Sequence, residues 1–234
     1  MKKILCIAGF GDDASMFEQL TTHDISGQVR FLPTDLPGFG APRLQGQETT
    51  LDALAAALNA EARALGAETV LAHSVASIIA SIAASQAGSP LSTILSLEGN
   101  LTPEDAYFSG TAAGYNAPDE FRSAFLARLD DMKAGDPVLE RYRACVETAD
   151  PVALWELGCD AHTFSAQHSP GELLMASARA IYLYNPENLP ETSLAWLQTQ
   201  DIERYELPGA SHWASVDQPE PLLEQILKAI SQGQ

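Results

Sequence analysis

The stretch Thr69-Val70-Leu71-Ala72-His73-Ser74-Val75-Ala76-Ser77-Ile78-Ile79-Ala80 joins a short apolar run to a helical pattern through one serine set among small residues. A strand that turns straight into a helix must bend its backbone hard at one position. The residues two before and two after the bend must then lack bulk, and Ala72 and Ala76 satisfy this. The bend lifts the Ser74 hydroxyl above the sheet. It also sets the Val75 amide at a helix N-terminus, where it can meet developing negative charge. Nucleophilic attack by an exposed hydroxyl is the chemistry that such a turn supports. The commoner form is Gly-x-Ser-x-Gly, and with alanine at both outer positions the stretch by itself also fits an ordinary strand-to-helix junction.

The elements that must hold this turn can be read along the chain. Ile4 to Ala8 is a continuous apolar run ended by Gly9, as expected of a strand buried on both faces of a parallel sheet. Val29 to Leu32 is a second strand, running into the Gly- and Pro-rich turn Thr34 to Gly40. Leu51 to Leu65 reads as an Ala-rich helix stopped by Gly66. After the strand Thr69 to His73 come a helix from Val75 to about Ala87 and a strand from Leu91 to Leu97, which closes on Glu98-Gly99-Asn100. Strand and helix alternate to this point, the pattern of a doubly wound, mostly parallel sheet.

Between residues 101 and 177 the alternation stops. The spacing there predicts helices over Pro118 to Asp131, Pro137 to Thr148, Pro151 to about Cys159 and Gly171 to Ser177, with prolines where helix first turns tolerate them. This all-helical insertion divides a core of residues 1–100 and 178–234. The alternation resumes with a strand from Arg179 to Tyr184, a helix from Glu191 to Thr199 and a strand from Ile202 to Leu207. A loop from Pro208 to Trp213 and an amphipathic helix from Pro219 to Ile230 follow.

The chain has 234 residues, 46% of them hydrophobic, ample for a large core. Its formal net charge of −18, from 13 basic and 31 acidic residues, repels nucleic acid and anionic membrane surfaces as partners. Cys6, Cys145 and Cys159 lie far apart with no metal-binding spacing, which suits buried thiols of a reducing compartment. The apolar start is too short for a signal peptide, and no run approaches the ~20 apolar residues of a membrane span. These features point to the cytoplasm.

Four segments together resemble the α/β-hydrolase family: Ala8-Gly9-Phe10-Gly11, Asp35-Leu36-Pro37-Gly38-Phe39-Gly40, Ala72-His73-Ser74-Val75-Ala76 and Pro208-Gly209-Ala210-Ser211-His212-Trp213. They fall in the family's order at the expected strand ends and span nearly the whole chain. The resemblance implies an α/β-hydrolase fold of about six parallel strands, the helical insertion forming a cap over the open sheet end.

The same resemblance implies Ser74 as nucleophile and His212 as the base that activates it, an imidazole being suited to proton transfer near neutral pH. His23, His162 and His168 fall in loop or insertion, and His73, next to the nucleophile, is expected to point away from it in a structural role. Family members usually carry the acid after the strand ending at Tyr184, but the corresponding position here is Asn188. Some carry it at the end of the strand before the cap, where this chain has Glu98. Glu98 is therefore the expected acid, with Glu187 as the alternative, and Glu104 and Asp105 read as first-turn residues of a helix. The amides of Phe10 and Val75 are the expected oxyanion donors.

The activity implied is serine hydrolysis of a small ester, thioester or lactone, with no metal and no organic cofactor. Carbon–carbon bond hydrolysis, cofactor-free haloperoxidation and acyl transfer use the same scaffold, and a non-catalytic small-molecule binding protein is the reading from another class. The cap aromatics Tyr107, Phe108, Tyr115, Phe121, Phe125, Trp155 and Phe164 are expected to supply an apolar substrate pocket from some of their number.

Overall fold

A computed structural model describes residues 1–23, 27–132 and 135–231. Its sheet contains β1 (Lys2–Ile7), β2 (Val29–Thr34), β5 (Thr69–His73), β6 (Thr93–Leu97), β7 (Arg179–Tyr184) and β8 (Glu203–Glu206) in the order β2-β1-β5-β6-β7-β8. Every pairing is parallel. β5 and β6 are buried at each of their positions, which explains their small and apolar composition up to His73 at the end of β5. The edge strand β2 accommodates Pro33, whose missing N–H costs nothing on a side without a partner.

The strands run slightly differently from the sequence reading: β1 starts earlier, and β6 and β8 start later than their apolar runs. The Gly- and Pro-rich turn after β2 holds a small parallel ladder of β3 (Leu36–Pro37) and β4 (Gly40–Ala41), which the sequence reading took as a plain turn.

Helices flank the sheet. α2 (Leu51–Leu65) starts at Thr50, whose side chain caps Ala53 N, and stops at Gly66 in the left-handed region at φ 65°. It packs with α3 (Ala76–Ser85) on one face. On the other, α1 (Glu18–His23) packs with α10 (Pro219–Ser231), whose buried stripe of Leu222, Leu223, Ile226, Ala229 and Ile230 bears out the expected amphipathic pattern.

A helical insert follows β6. It holds short 3-10 turns at Pro103–Ala106 and Ser109–Gly114, then α4 (Pro118–Met132), α5 (Pro137–Thr148), α6 (Pro151–Gln167) and α7 (Pro170–Ser177). α6 runs well past the expected end near Cys159. Gly158 is no stop signal: a Cβ there would lie 2.5 Å from Ala112 Cβ and 2.7 Å from Ser109 O, so the glycine lets the 109–114 turn lie directly against the helix. After α7 the chain returns through β7, α8 (Glu191–Thr199), β8 and the short α9 (Ala214–Asp217). No helix among the described residues is long and apolar enough to cross a membrane.

The chain order changes direction between β1 and β5: β2 lies to one side of β1 and every later strand to the other. The loops leaving those two strands therefore part at their carboxyl ends and leave a crevice. Gly9-Phe10-Gly11 and His73-Ser74-Val75 are the residues at its lips.

Candidate active site

Ser74 leaves β5 with φ 54°, in the left-handed region that a residue with a Cβ adopts only when its surroundings force it. Its N–H donates to Leu97 O at 3.0 Å, which ties the bend to β6. Ala72 and Ala76 are fully buried beneath it, so methyl groups are small enough for the turn and glycine is not required. Val75 precedes the first residue of α3, which lacks a side-chain cap. Its amide thus lies among the open donors of a helix start.

The loop after β1 comes close to this bend. A Cβ on Gly9 would lie 2.9 Å from Ser74 Cβ and 3.0 Å from His73 Nδ1, so only glycine permits the approach. Phe10 follows, and its ring inserts among cap residues: centroids lie 6.1 Å from Phe121 and 5.7 Å from Phe125 of α4. The Phe10 carbonyl accepts from the Tyr142 hydroxyl at 2.7 Å. Among the described residues neither the Phe10 nor the Val75 N–H has an acceptor, which leaves two amides beside Ser74 open to a ligand oxygen.

His212 occupies the loop between β8 and α9, and Glu98 ends β6. His212 Nδ1 and Glu98 Oε2 lie 3.5 Å apart, both buried, with no other partner among the described residues. The other oxygen of Glu98 is held firmly: Oε1 accepts from Asn185 N at 2.6 Å and from Asn188 Nδ2 at 3.2 Å. The same two asparagines donate to Ala210 O, at 2.8 Å from Asn185 and 3.1 Å from Asn188. They thereby bind the strand end carrying Glu98 to the loop carrying His212. Glu187 lies between them but is exposed on its own one-turn helix (Pro186–Asn188) and points to no site partner.

His73, expected to point away from Ser74, instead lines the same cavity as Ser74 and His212. Its ring lies 4.6 Å from that of His212, and its Nε2 donates to His212 O at 2.9 Å. Burial, with His212 adding repulsion, holds its pKa well below the ordinary value. His73 is therefore neutral and serves as a fixed strut for the His212 backbone. Among the other histidines, His23 sits at the end of α1, His162 within α6 and His168 at its C-cap. None belongs to the Ser74 cluster.

Asp105, expected to be a first-turn residue, has a larger part. Its Oδ2 accepts from Leu101 N, Thr102 N and the Ser193 hydroxyl at 2.7–2.8 Å, and burial raises its pKa. It lines the cavity at Ser74 along with Tyr107 and Phe108. That cavity measures only about 10 Å³, room for at most one water. A groove of about 690 Å³ between the α2–α3 and α6–α7 pairs holds neither Ser74 nor His212. Of the aromatics expected to supply a pocket from some of their number, Tyr107 and Phe108 line the cavity at Ser74, Phe121 and Phe125 pack on Phe10, and Phe164 lines the remote groove. Of the cysteines only Cys6 is buried, and Cys145 and Cys159 are half-buried, contrary to the expectation of three buried thiols; all are free.

Sequence reasoning missed Asn185, Asn188, Asp105 and Tyr142. The asparagine pair had a signal, two amides three residues apart on a Pro-nucleated turn, but nothing local shows that they face Glu98. Tyr142 reaches Phe10 across most of the chain and had none.

A profile of the α/β-hydrolase family matches residues 4–225. No curated protein matches the sequence. Among solved structures, the chain is similar to a thermophilic esterase from Thermogutta terrifontis, with TM-score 0.76 and 19% identity over 99% of this chain and 90% of that one. It is similar to a meta-cleavage product hydrolase from Pseudomonas fluorescens, with TM-score 0.73 and 16% identity over 100% and 92% of the two chains. An N-acyl homoserine lactonase gives 0.72 and 14% over 98% and 89%. At these identities the likeness is one of fold.

Proposed function

The chain belongs to the α/β-hydrolase family, and on that premise we propose that it is a serine hydrolase that cleaves a small ester-like substrate, a carboxylic ester, thioester or lactone, through an acyl-enzyme. The observation that carries this reading is the buried Glu98–His212 pair set at the same sheet end as a serine in left-handed backbone and two open amides.

The Ser74 hydroxyl attacks the acyl carbon as His212 Nε2 takes its proton. Glu98 fixes the tautomer with Nδ1 protonated and stabilises the imidazolium that forms. The carbonyl oxygen becomes an oxyanion and accepts from the Phe10 and Val75 amides. Collapse expels the alcohol, thiol or ring oxygen, which takes the proton from His212. Water, deprotonated by the same imidazole, then releases the acid and restores Ser74. These steps call on protein groups and water alone.

The small cavity at Ser74 supports a closed state in which Tyr107 and Phe108 occupy the space a substrate would fill. Residues 101–177 act as the cap on a core of residues 1–100 and 178–234, and the 107–108 segment shifts to admit substrate. Three free cysteines support the cytoplasm as the place of action.

The test is a panel of short-chain p-nitrophenyl esters, acyl thioesters, lactones and β-diketones assayed with the native protein, Ser74→Ala and His212→Gln. Turnover of an acyl substrate, with a pre-steady-state burst and loss in both variants, supports the reading. Turnover of diketones alone, or activity that survives both substitutions, contradicts it.

A further inference from the structure

The segment carrying the first oxyanion donor has little stiffness of its own. Phe10 is flanked by Gly9 and Gly11, the latter at φ 71°, and within the loop one long turn bond, Asp12 N to Gly9 O at 3.3 Å, spans its peptides. The sheet supplies no such restraint beyond Ile7, where β1 ends.

The restraint comes from one face of α5. The Tyr142 hydroxyl donates to Phe10 O at 2.7 Å, and its ring lies 4.8 Å from that of Trp213, the residue after the catalytic histidine. One turn on, Val146 lies so close that a Cβ on Gly11 would come within 2.8 Å of its Cγ2. Arg141 grips Asp12 with its two terminal guanidinium nitrogens, at 3.0 and 2.8 Å, and the Asp12 side chain is only 1% exposed. The Phe10 ring is meanwhile held by Phe121 and Phe125 of α4. The Phe10 N–H shares its peptide plane with the Gly9 carbonyl, which accepts from Asp12 N at 3.3 Å, so holding the Phe10 carbonyl and ring on one side and Asp12 on the other sets the direction of that N–H. Burial also keeps the Tyr142 phenol protonated, so it remains a donor at any pH the fold survives.

We propose that Tyr142 is a positioning residue for the oxyanion hole: through the Phe10 carbonyl it aims the Phe10 amide, so that the cap helix α5, with Arg141 as a second tie, completes the catalytic machinery that the sheet begins. The proposal rests on the serine-hydrolase reading above. Its consequence is that displacement of the cap weakens the oxyanion hole, and full reactivity returns only when α5 is seated on the 9–12 loop.

The experiment compares native protein, Tyr142→Phe and Arg141→Lys in hydrolysis of p-nitrophenyl acetate and in inhibition by an aryl trifluoromethyl ketone. The hemiketal oxygen of that inhibitor, formed on Ser74, occupies the oxyanion hole. Circular dichroism establishes that each variant is folded, and should Tyr142→Phe fail to fold, Arg141→Lys decides by itself. The expected result is a fall in kcat of about 10-fold or more for Tyr142→Phe, with KM changed by less than about 3-fold. The inhibition constant should rise by the same factor as kcat/KM falls, and Arg141→Lys should show the same proportionality at smaller size. A merely structural role would not couple the two quantities. Native-like kcat in Tyr142→Phe, or a fall in kcat with unchanged inhibition, overturns the proposal while the hydrolase reading stands. A native protein that neither turns over the ester nor binds the ketone overturns both.

Discussion

Ser74 and Glu98 leave neighbouring parallel strands at the same level, and they are the two non-glycine residues among those described that have positive φ, 54° and 51°. In the β5–β6 register His73 is opposite Leu97, so each is the first residue past its strand. The Ser74 N–H donates to Leu97 O at 3.0 Å and the Glu98 N–H to Leu183 O at 2.9 Å. Each bend is thus pinned by the next strand along the sheet. Two adjacent bends in a costly backbone conformation set Ser74 on a cavity that His212 also lines and bring Glu98 Oε2 to 3.5 Å from His212 Nδ1.

The strain at Ser74 should be measurable. Ser74→Gly removes the steric cost of the left-handed conformation, worth about 1–2 kcal/mol, less the entropy glycine adds to the unfolded chain. We expect a net gain of about 0.5–1 kcal/mol over Ser74→Ala in urea unfolding, with both variants inactive. Equal midpoints for the two would remove strain from the account.

The carboxylate assignment separates cleanly by mutation. Glu98→Gln keeps an acceptor for Asn185 N and Asn188 Nδ2 but cannot stabilise the imidazolium, and should lower kcat by about 10³- to 10⁴-fold without loss of fold. Glu187→Gln, on the exposed turn, should stay within about twofold of native activity. If the two results came out reversed, the acid would lie in the later loop.

The cap-to-loop ion pair makes a stability prediction. Arg141→Ala leaves Asp12 buried with its main partner gone, a change that typically costs about 3–5 kcal/mol. Arg143 pairs with Asp130 and Glu147, whose side chains are 42% and 59% exposed, and its replacement by alanine should cost less than about 1 kcal/mol. Urea midpoints with a common slope measure the contrast.

His73 gives the pH dependence its sign. Its folded pKa lies below the unfolded value of 6.5, so below about pH 6.5 the unfolded chain binds a proton that the native protein does not. Stability is then fully present above that pH and falls on acidification, by up to about 1.4 kcal/mol per pH unit from this one group. His73→Gln should flatten that part of the profile between pH 6.5 and 5. An unchanged slope would mean that other groups set it.

Much of the scaffold could be read in the chain because its signals are local. Apolar runs of five or six residues, glycine and proline stops and the small residues around Ser74 each report on the backbone that contains them. The site was only half legible. Ser74 and Val75 belong to one turn, and their relation is a matter of sequence spacing. The Glu98–His212 contact joins residues far apart in the chain, and Glu187 stood beside Glu98 because the resembled family carries its acid after either of two strands. Only the three-dimensional register separates a buried β6 end from an exposed one-turn helix. The same holds for His73, whose ring direction depends on where the 208–213 loop settles, and for Gly158, whose use as a packing notch shows only in space. Tyr142 was invisible for a plainer reason: a tyrosine on an amphipathic cap helix looks the same whether it packs or donates.

The central claim, an activated serine at position 74, is tested most directly by intact-mass measurement after exposure to a fluorophosphonate. The account predicts one adduct on the native protein, none on Ser74→Ala, and markedly slower labelling of Glu98→Gln. No adduct on the folded native protein, or an adduct that persists in Ser74→Ala, would contradict it.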